Sequence, residues 1–109
     1  MAFDEALADR IRDALGSRAE VSERRMFGGI AFMLAGNMGV GVIEDKLLVR
    51  LDPDDAARAL AEPHTSVMDF TGRPSKNMIY VEPAGIEGDA DLAAWVDAGA
   101  DYAQTFPPK

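Results

Sequence analysis

His64, Ser66 and Asp69 fall within six residues of one another and invite a nucleophilic triad. In an extended strand, His64 and Ser66 point the same way about 6–7 Å apart, beyond hydrogen-bond reach for a base and its nucleophile. His64 also follows Pro63 at an element boundary, so the expected reading is an exposed loop histidine. Asp52-Pro53-Asp54-Asp55 has the carboxylates of a calcium loop. It lacks the later glycine and distal glutamate of an EF-hand, and a helix N-terminus accounts for its acids. With one histidine and no cysteine, the usual zinc ligands and cysteine nucleophiles are missing, and neither metal nor cofactor is expected. Gly36-Asn37-Met38-Gly39-Val40-Gly41 has phosphate-loop composition but the spacing G-x-x-G-x-G. A strand follows it rather than a helix whose free amides could hold a pyrophosphate.

The charged residues point elsewhere. The 109-residue chain carries 19 acids and 11 bases, a net charge of −8. Such a balance opposes nonspecific binding to phosphate backbones. The distribution is uneven: Arg10, Arg12, Arg18, Arg24 and Arg25 are close in sequence, whereas Glu82 to Asp101 contains six acids and no base. A local basic patch on an acidic body is one reading, and a solubilising surface is the other. No carboxylate pair is placed by a motif against an apolar pocket, which is what acid–base tuning requires. Phe3, Phe32, Trp95 and Phe106 fall on expected buried faces. A nucleic-acid stacking platform needs exposed aromatics beside bases. Arg24, Arg25 and Phe27 come closest to that, with Arg73 and Lys76 as spatial neighbours.

The elements that must position these residues read as one α+β domain over residues 1–109. Phe3, Leu7, Ile11 and Leu15 recur every fourth residue and predict an opening helix, with Asp4 and Glu5 in its first turn and Gly16 as its cap. Ile30–Leu34, Met38–Val42 and Leu47–Leu51 predict three strands in an antiparallel meander. Met38, Val40 and Val42 are expected on one face, leaving Gly39 and Gly41 as a bare face that admits a close helix. Asp52-Pro53 reads as an N-cap with proline at the first helical position. Thr65–Phe70 and Met78–Glu82 read as strands around a turn at Thr71–Pro74, and Asp89 as the cap of a last helix. Hydrophobic residues at 48% supply a core without disulfides. Asp4, Glu5 and Asp9 stand where a signal peptide needs positive charge, and no run approaches ~18 apolar residues. A cytoplasmic, membrane-free protein is the expectation.

Arg24-Arg25-Met26-Phe27-Gly28-Gly29, an apolar strand, a Gly36-Asn37 turn and then Lys46-Leu-Leu-Val-Arg-Leu-Asp52 resemble the N-terminal domain of the TfoX/Sxy family. The resemblance continues through Thr71-Gly-Arg-Pro74, Tyr80-Val-Glu-Pro83, Asp91-Leu-Ala-Ala-Trp95 and the final Pro-Pro-Lys, so it spans nearly the whole chain. It implies an α-β(3)-α-β(2)-α fold, a mainly antiparallel sheet with helices packed on one face. Arg24 to Leu34 would then form one long first strand, bent or bulged at Gly28-Gly29. The family is named for bacterial competence regulators, which carry a further C-terminal domain. The resemblance is therefore to a stand-alone N-terminal domain.

These readings together predict a small, non-catalytic bacterial protein that acts by contact with another protein, in transcriptional or competence-type regulation. Arg24, Arg25, Phe27, Arg73 and Lys76 are the expected contact residues, and Met26, Gly28 and Gly29 a structural motif. A homodimer through a sheet face or edge is an open form of that contact. The alternatives are direct nucleic-acid binding through the Arg10–Arg25 region and a small enzyme with a carboxylate or tyrosine site.

Overall fold

The computed structural model describes residues 3–26, 28–68 and 76–109. Helix α1 (Glu5–Leu15) begins at Asp4, whose side chain accepts the Leu7 amide at 3.1 Å, and ends at Gly16 with φ 55°. Leu7, Ala8, Ile11 and Leu15 are buried along one stripe, as their spacing predicts. Strands β1 (Val21–Met26), β2 (Gly29–Leu34), β3 (Asn37–Ile43) and β4 (Lys46–Arg50) follow. Then come α2 (Pro53–Ala59), β5 (Thr65–Val67), β6 (Met78–Val81), a 3-10 turn over Pro83–Gly85, and α3 (Asp89–Ala103). The order is α-β(4)-α-β(2)-α rather than the expected α-β(3)-α-β(2)-α.

The difference lies at the double glycine. Arg24 to Leu34 is not one bent strand; β1 and β2 form an antiparallel hairpin with Met26 opposite Gly29. Gly28 takes φ 76° in the turn, a conformation that two-residue hairpin loops demand and glycine supplies. Gly29 faces another constraint. A Cβ there would stand 2.0 Å from the Val42 carbonyl oxygen on β3. Phe27 lies outside the described residues, as does the expected turn at Thr71–Pro74.

The six strands run antiparallel in the order β1-β2-β3-β4-β6-β5. Alternation places Ile30, Phe32, Leu34, Val40, Val42, Leu47, Val49, Ile79 and Val81 on one face, in a single core cluster with the apolar stripes of all three helices. Against that face α3 comes unusually close to β3. A Cβ on Gly99 would meet the Gly39 carbonyl oxygen at 2.5 Å, and one on Gly39 would meet the Gly99 oxygen at 3.0 Å.

Gly39 occupies this contact because the β2–β3 register slips between Phe32 and Met33. Phe32 pairs with Val40 and Met33 with Met38, which leaves Gly39 as the extra residue. The expected alternation is corrected accordingly: Met38 shares a face with Gly41, over which its methyl group lies, and not with Val40 and Val42. The expected close helix is present at Gly39 alone.

The remaining elements follow their local signals. The Asp52 side chain caps α2 by accepting the Asp55 amide at 2.8 Å, with Pro53 at the first turn. That bond holds the Asp52 carboxyl below its ordinary range. Strand β5 is three residues long, and the Met68 amide adds one ladder bond to the Met78 carbonyl at 3.2 Å. Gly88, not Asp89, caps α3; Asp89 and Asp91 stand in its first turn, where the helix dipole favours acids. The C-terminal segment closes the end of the sheet. Lys109 donates its amide to the Ala35 carbonyl at 2.8 Å, and buried Asn37 donates to the Pro107 carbonyl at 3.0 Å. The Arg50 guanidinium sits over the rings of Tyr102 and Phe106, 5.7 and 4.7 Å from their centroids. Among the described residues, no helix is long and apolar enough to cross a membrane.

Candidate interaction surfaces

Among the described residues, the expected contact residues do not form one patch. Arg24 and Arg25 are neighbours on a strand, so their side chains leave opposite faces of the sheet. Arg25 pairs with Ile30 on the helix side, and its guanidinium lies 5.3 Å from the Phe3 ring centroid. Arg24 pairs with Ala31 on the other face, exposed beside Met26. Lys76 stands four strand spacings from β1, each about 4.8 Å, and lines a small cavity with Pro53, Ala56 and Leu60 of the α2 region. Arg73, like Phe27, lies outside the described residues.

Nor do the earlier arginines present a free basic surface. Arg10 donates to the Ile86 carbonyl at 2.8 Å and pairs with Asp89 at 3.2 Å. Arg12 holds Glu23 with both arms of its fork, at 2.7 and 2.8 Å, and also meets Asp9. Arg18 pairs with Asp97 at 3.1 Å and Asp101 at 3.0 Å on α3. Burial opposes the charge of Arg18, but the hydrogen bonds to Asp97 and Asp101 outweigh it and raise the pKa. These ion pairs tie α1 and the segment after it to β1 and α3, so the basic third of the sequence is largely spent inside the fold.

The Arg12–Glu23 pair carries a pH prediction. The hydrogen bonds from Arg12 lower the Glu23 carboxyl from its ordinary 4.5. A depressed folded pKa means a stabilising contribution present above the unfolded value and lost as pH falls through the folded one. Both partners are more than a third exposed, so the contribution is small. NMR titration should show Glu23 as a carboxyl titrating below the usual glutamate range and returning to it in Arg12→Ala. An ordinary Glu23 titration in the unmodified protein would contradict the pairing.

The sheet face away from the helices is the distinctive surface. Met26 on β1, Met33 on β2, Met38 on β3, Met78 on β6 and Met68 after β5 share it by register. These are five of the six methionines in the chain. Met26 is exposed, the other four are half-buried, and half-buried Ile43 and Tyr80 stand with them. Ala31 and Leu48 occupy the centre, fully buried. Among the described residues no helix covers this face. On the opposite side, α2 and α3 flank a groove of about 760 Å³ whose wall includes Trp95 and Tyr102. Trp95, expected on a buried face, packs against the core but is only half-buried there.

Of the described residues, Asn37 is the one buried polar side chain, and it is hydrogen-bonded. Three helices banked on one side of a six-strand antiparallel sheet define a small α+β domain with its ionisable groups at the surface. The chain belongs to the TfoX N-terminal domain family, whose sequence model matches residues 13–103. No curated protein and no solved structure matches it significantly.

Proposed function

We propose that this domain works by contact with another protein rather than by catalysis, in a regulatory role, and that the methionine-bearing sheet face is the contact surface. The observation that carries this reading is the gathering of five methionines on that face from five separate places in the sequence. Methionine is unbranched and polarizable, so a surface built from it can adapt its shape to a partner. Met26 is exposed and the other four methionines are half-buried, so this apolar face remains partly accessible to a partner. The site therefore differs from the arginine-centred one that the sequence suggests: of the described residues expected there, Arg24 stands on this face and Arg25 on the other.

A non-catalytic role is supported by where the perturbed ionisable groups stand. Arg12, Arg18, Glu23, Lys46 and Asp52 owe their shifts to surface ion pairs and a helix cap, not to burial in a reacting cleft. Direct nucleic-acid binding is disfavoured by the same ion pairs, which neutralise Arg10, Arg12 and Arg18.

The test replaces Met33 and Met78 by glutamine, which keeps side-chain length while making the face polar. Both residues are half-buried, so the double variant should melt within a few degrees of wild type. As nuclease-treated bait it should lose the partner that wild type retains, whereas Arg25→Glu on the other face should keep it. Unchanged capture by a folded Met33→Gln/Met78→Gln variant would overturn the assignment. A partner identified as a second copy of the chain would make the surface a dimer interface.

A further inference from the structure

The α2–α3 groove lies on the helix side of the sheet, separate from the methionine face. Five carboxylates line it: Asp52, Asp55, Glu62, Asp91 and Asp101, against the single guanidinium of Arg58. Several of these acids are already engaged. Asp55 pairs with Arg58, Asp101 with Arg18, and Asp52 caps α2. Glu62 and Asp91 have no ion-pair partner among the described residues, and both are exposed.

The groove is more than a collection of acids, because its wall also holds Trp95 and Tyr102, both half-buried. This pairs an aromatic surface with uncompensated negative charge. The fold already shows the matching interaction, since Arg50 lies over Tyr102 and Phe106, which leaves the Trp95 indole as the groove's ring for a partner's guanidinium. At about 760 Å³ the groove is large enough for one or two long side chains.

We propose that this groove docks an arginine-bearing segment of a partner protein. Guanidinium suits it better than ammonium on two counts. Its planar fork binds a carboxylate with two parallel hydrogen bonds, and its flat face stacks on an indole or phenol ring. The net charge of −8 steers a basic segment toward the domain, and of the acids between Glu82 and Asp101 that line the groove, Arg18 already holds Asp101 while Asp91 has no ion-pair partner among the described residues. Arg58 is paired with Asp55 in the groove wall, which leaves Glu62 and Asp91 to meet the incoming cation.

Trp95 is the only tryptophan in the chain, so its emission reports the groove directly. Hexa-arginine amide is the probe, with hexa-lysine amide and spermine as comparators at equal ionic strength. A saturable emission change with hexa-arginine is expected, with clearly weaker binding of the comparators. In Glu62→Gln/Asp91→Asn the affinity should fall roughly tenfold with the circular dichroism spectrum unchanged. If the double variant proves less stable, Glu62→Gln alone, placed beyond the end of α2, supplies the same comparison with a smaller fall. An unaltered Trp95 emission, an affinity indifferent to these substitutions, or equal binding of hexa-lysine or spermine would overturn the proposal. The methionine-face variants leave this readout untouched, so the two assignments stand or fall separately.

Discussion

Phe32→Ala is expected to destabilise the domain by ~3–5 kcal/mol, as removal of a buried aromatic ring does when its surroundings relax only partly. Phe32 is fully buried on β2, with neighbours on both flanking strands: Glu23 of β1 and Val40 of β3. The Arg12 guanidinium covers the ring at 5.8 Å from its centroid, which joins the core to the Arg12–Glu23 pair. A domain of this size has a total stability of roughly 5–15 kcal/mol, so the variant should sit near the edge of folding. Urea denaturation measures this, with Met33→Ala as the control. Met33 is adjacent in sequence but half-buried on the opposite face, and its truncation should be the milder of the two. Equal and small effects at both sites would show the faces to be misassigned.

Gly29→Ala is expected to be worse than Gly28→Ala, and for a different reason. At Gly29 the new methyl group would lie 2.0 Å from the Val42 carbonyl oxygen, a backbone atom that cannot move without parting β2 from β3. Overpacking of that kind costs about 1–3 kcal/mol and occasionally more, and a rigid backbone neighbour puts Gly29 at the upper end. At Gly28 there is open space, but φ is 76°, and a left-handed conformation at an ordinary residue costs roughly 1–2 kcal/mol. Melting curves of the two single variants separate the causes. Wild-type stability for Gly29→Ala would contradict the close approach of β2 to β3 at this point. The double glycine is thus a turn residue followed by a close-approach residue, and neither needs a ligand to explain it.

The sequence was legible where a local signal agreed with the final environment. The fourfold spacing of Phe3, Leu7, Ile11 and Leu15 and the Asp52-Pro53 start each specify a helix without reference to the rest of the chain. Strand β1 was hidden because Val21-Ser-Glu-Arg-Arg-Met26 has no apolar alternation. All six residues are exposed on an edge strand, where charges guard against further pairing. The methionine face was hidden by register. One inserted residue at Gly39 reverses the alternation along β3, so Met38 cannot be placed beside Met33 until the bulge is seen. Arg24 and Arg25 misled in the opposite sense, since adjacency in a strand separates side chains that adjacency in sequence seems to unite.

Photo-methionine tests most directly whether the methionine-bearing sheet face is where this TfoX N-terminal domain meets its partner. Incorporated in cells that make the protein, it places crosslinkers on that face at Met26, Met33, Met38, Met68 and Met78. The prediction is crosslinks to one other protein, mapped to peptides carrying those residues. A partner captured only by carboxylate-directed crosslinks from the helix side, with none from the methionines, would contradict it.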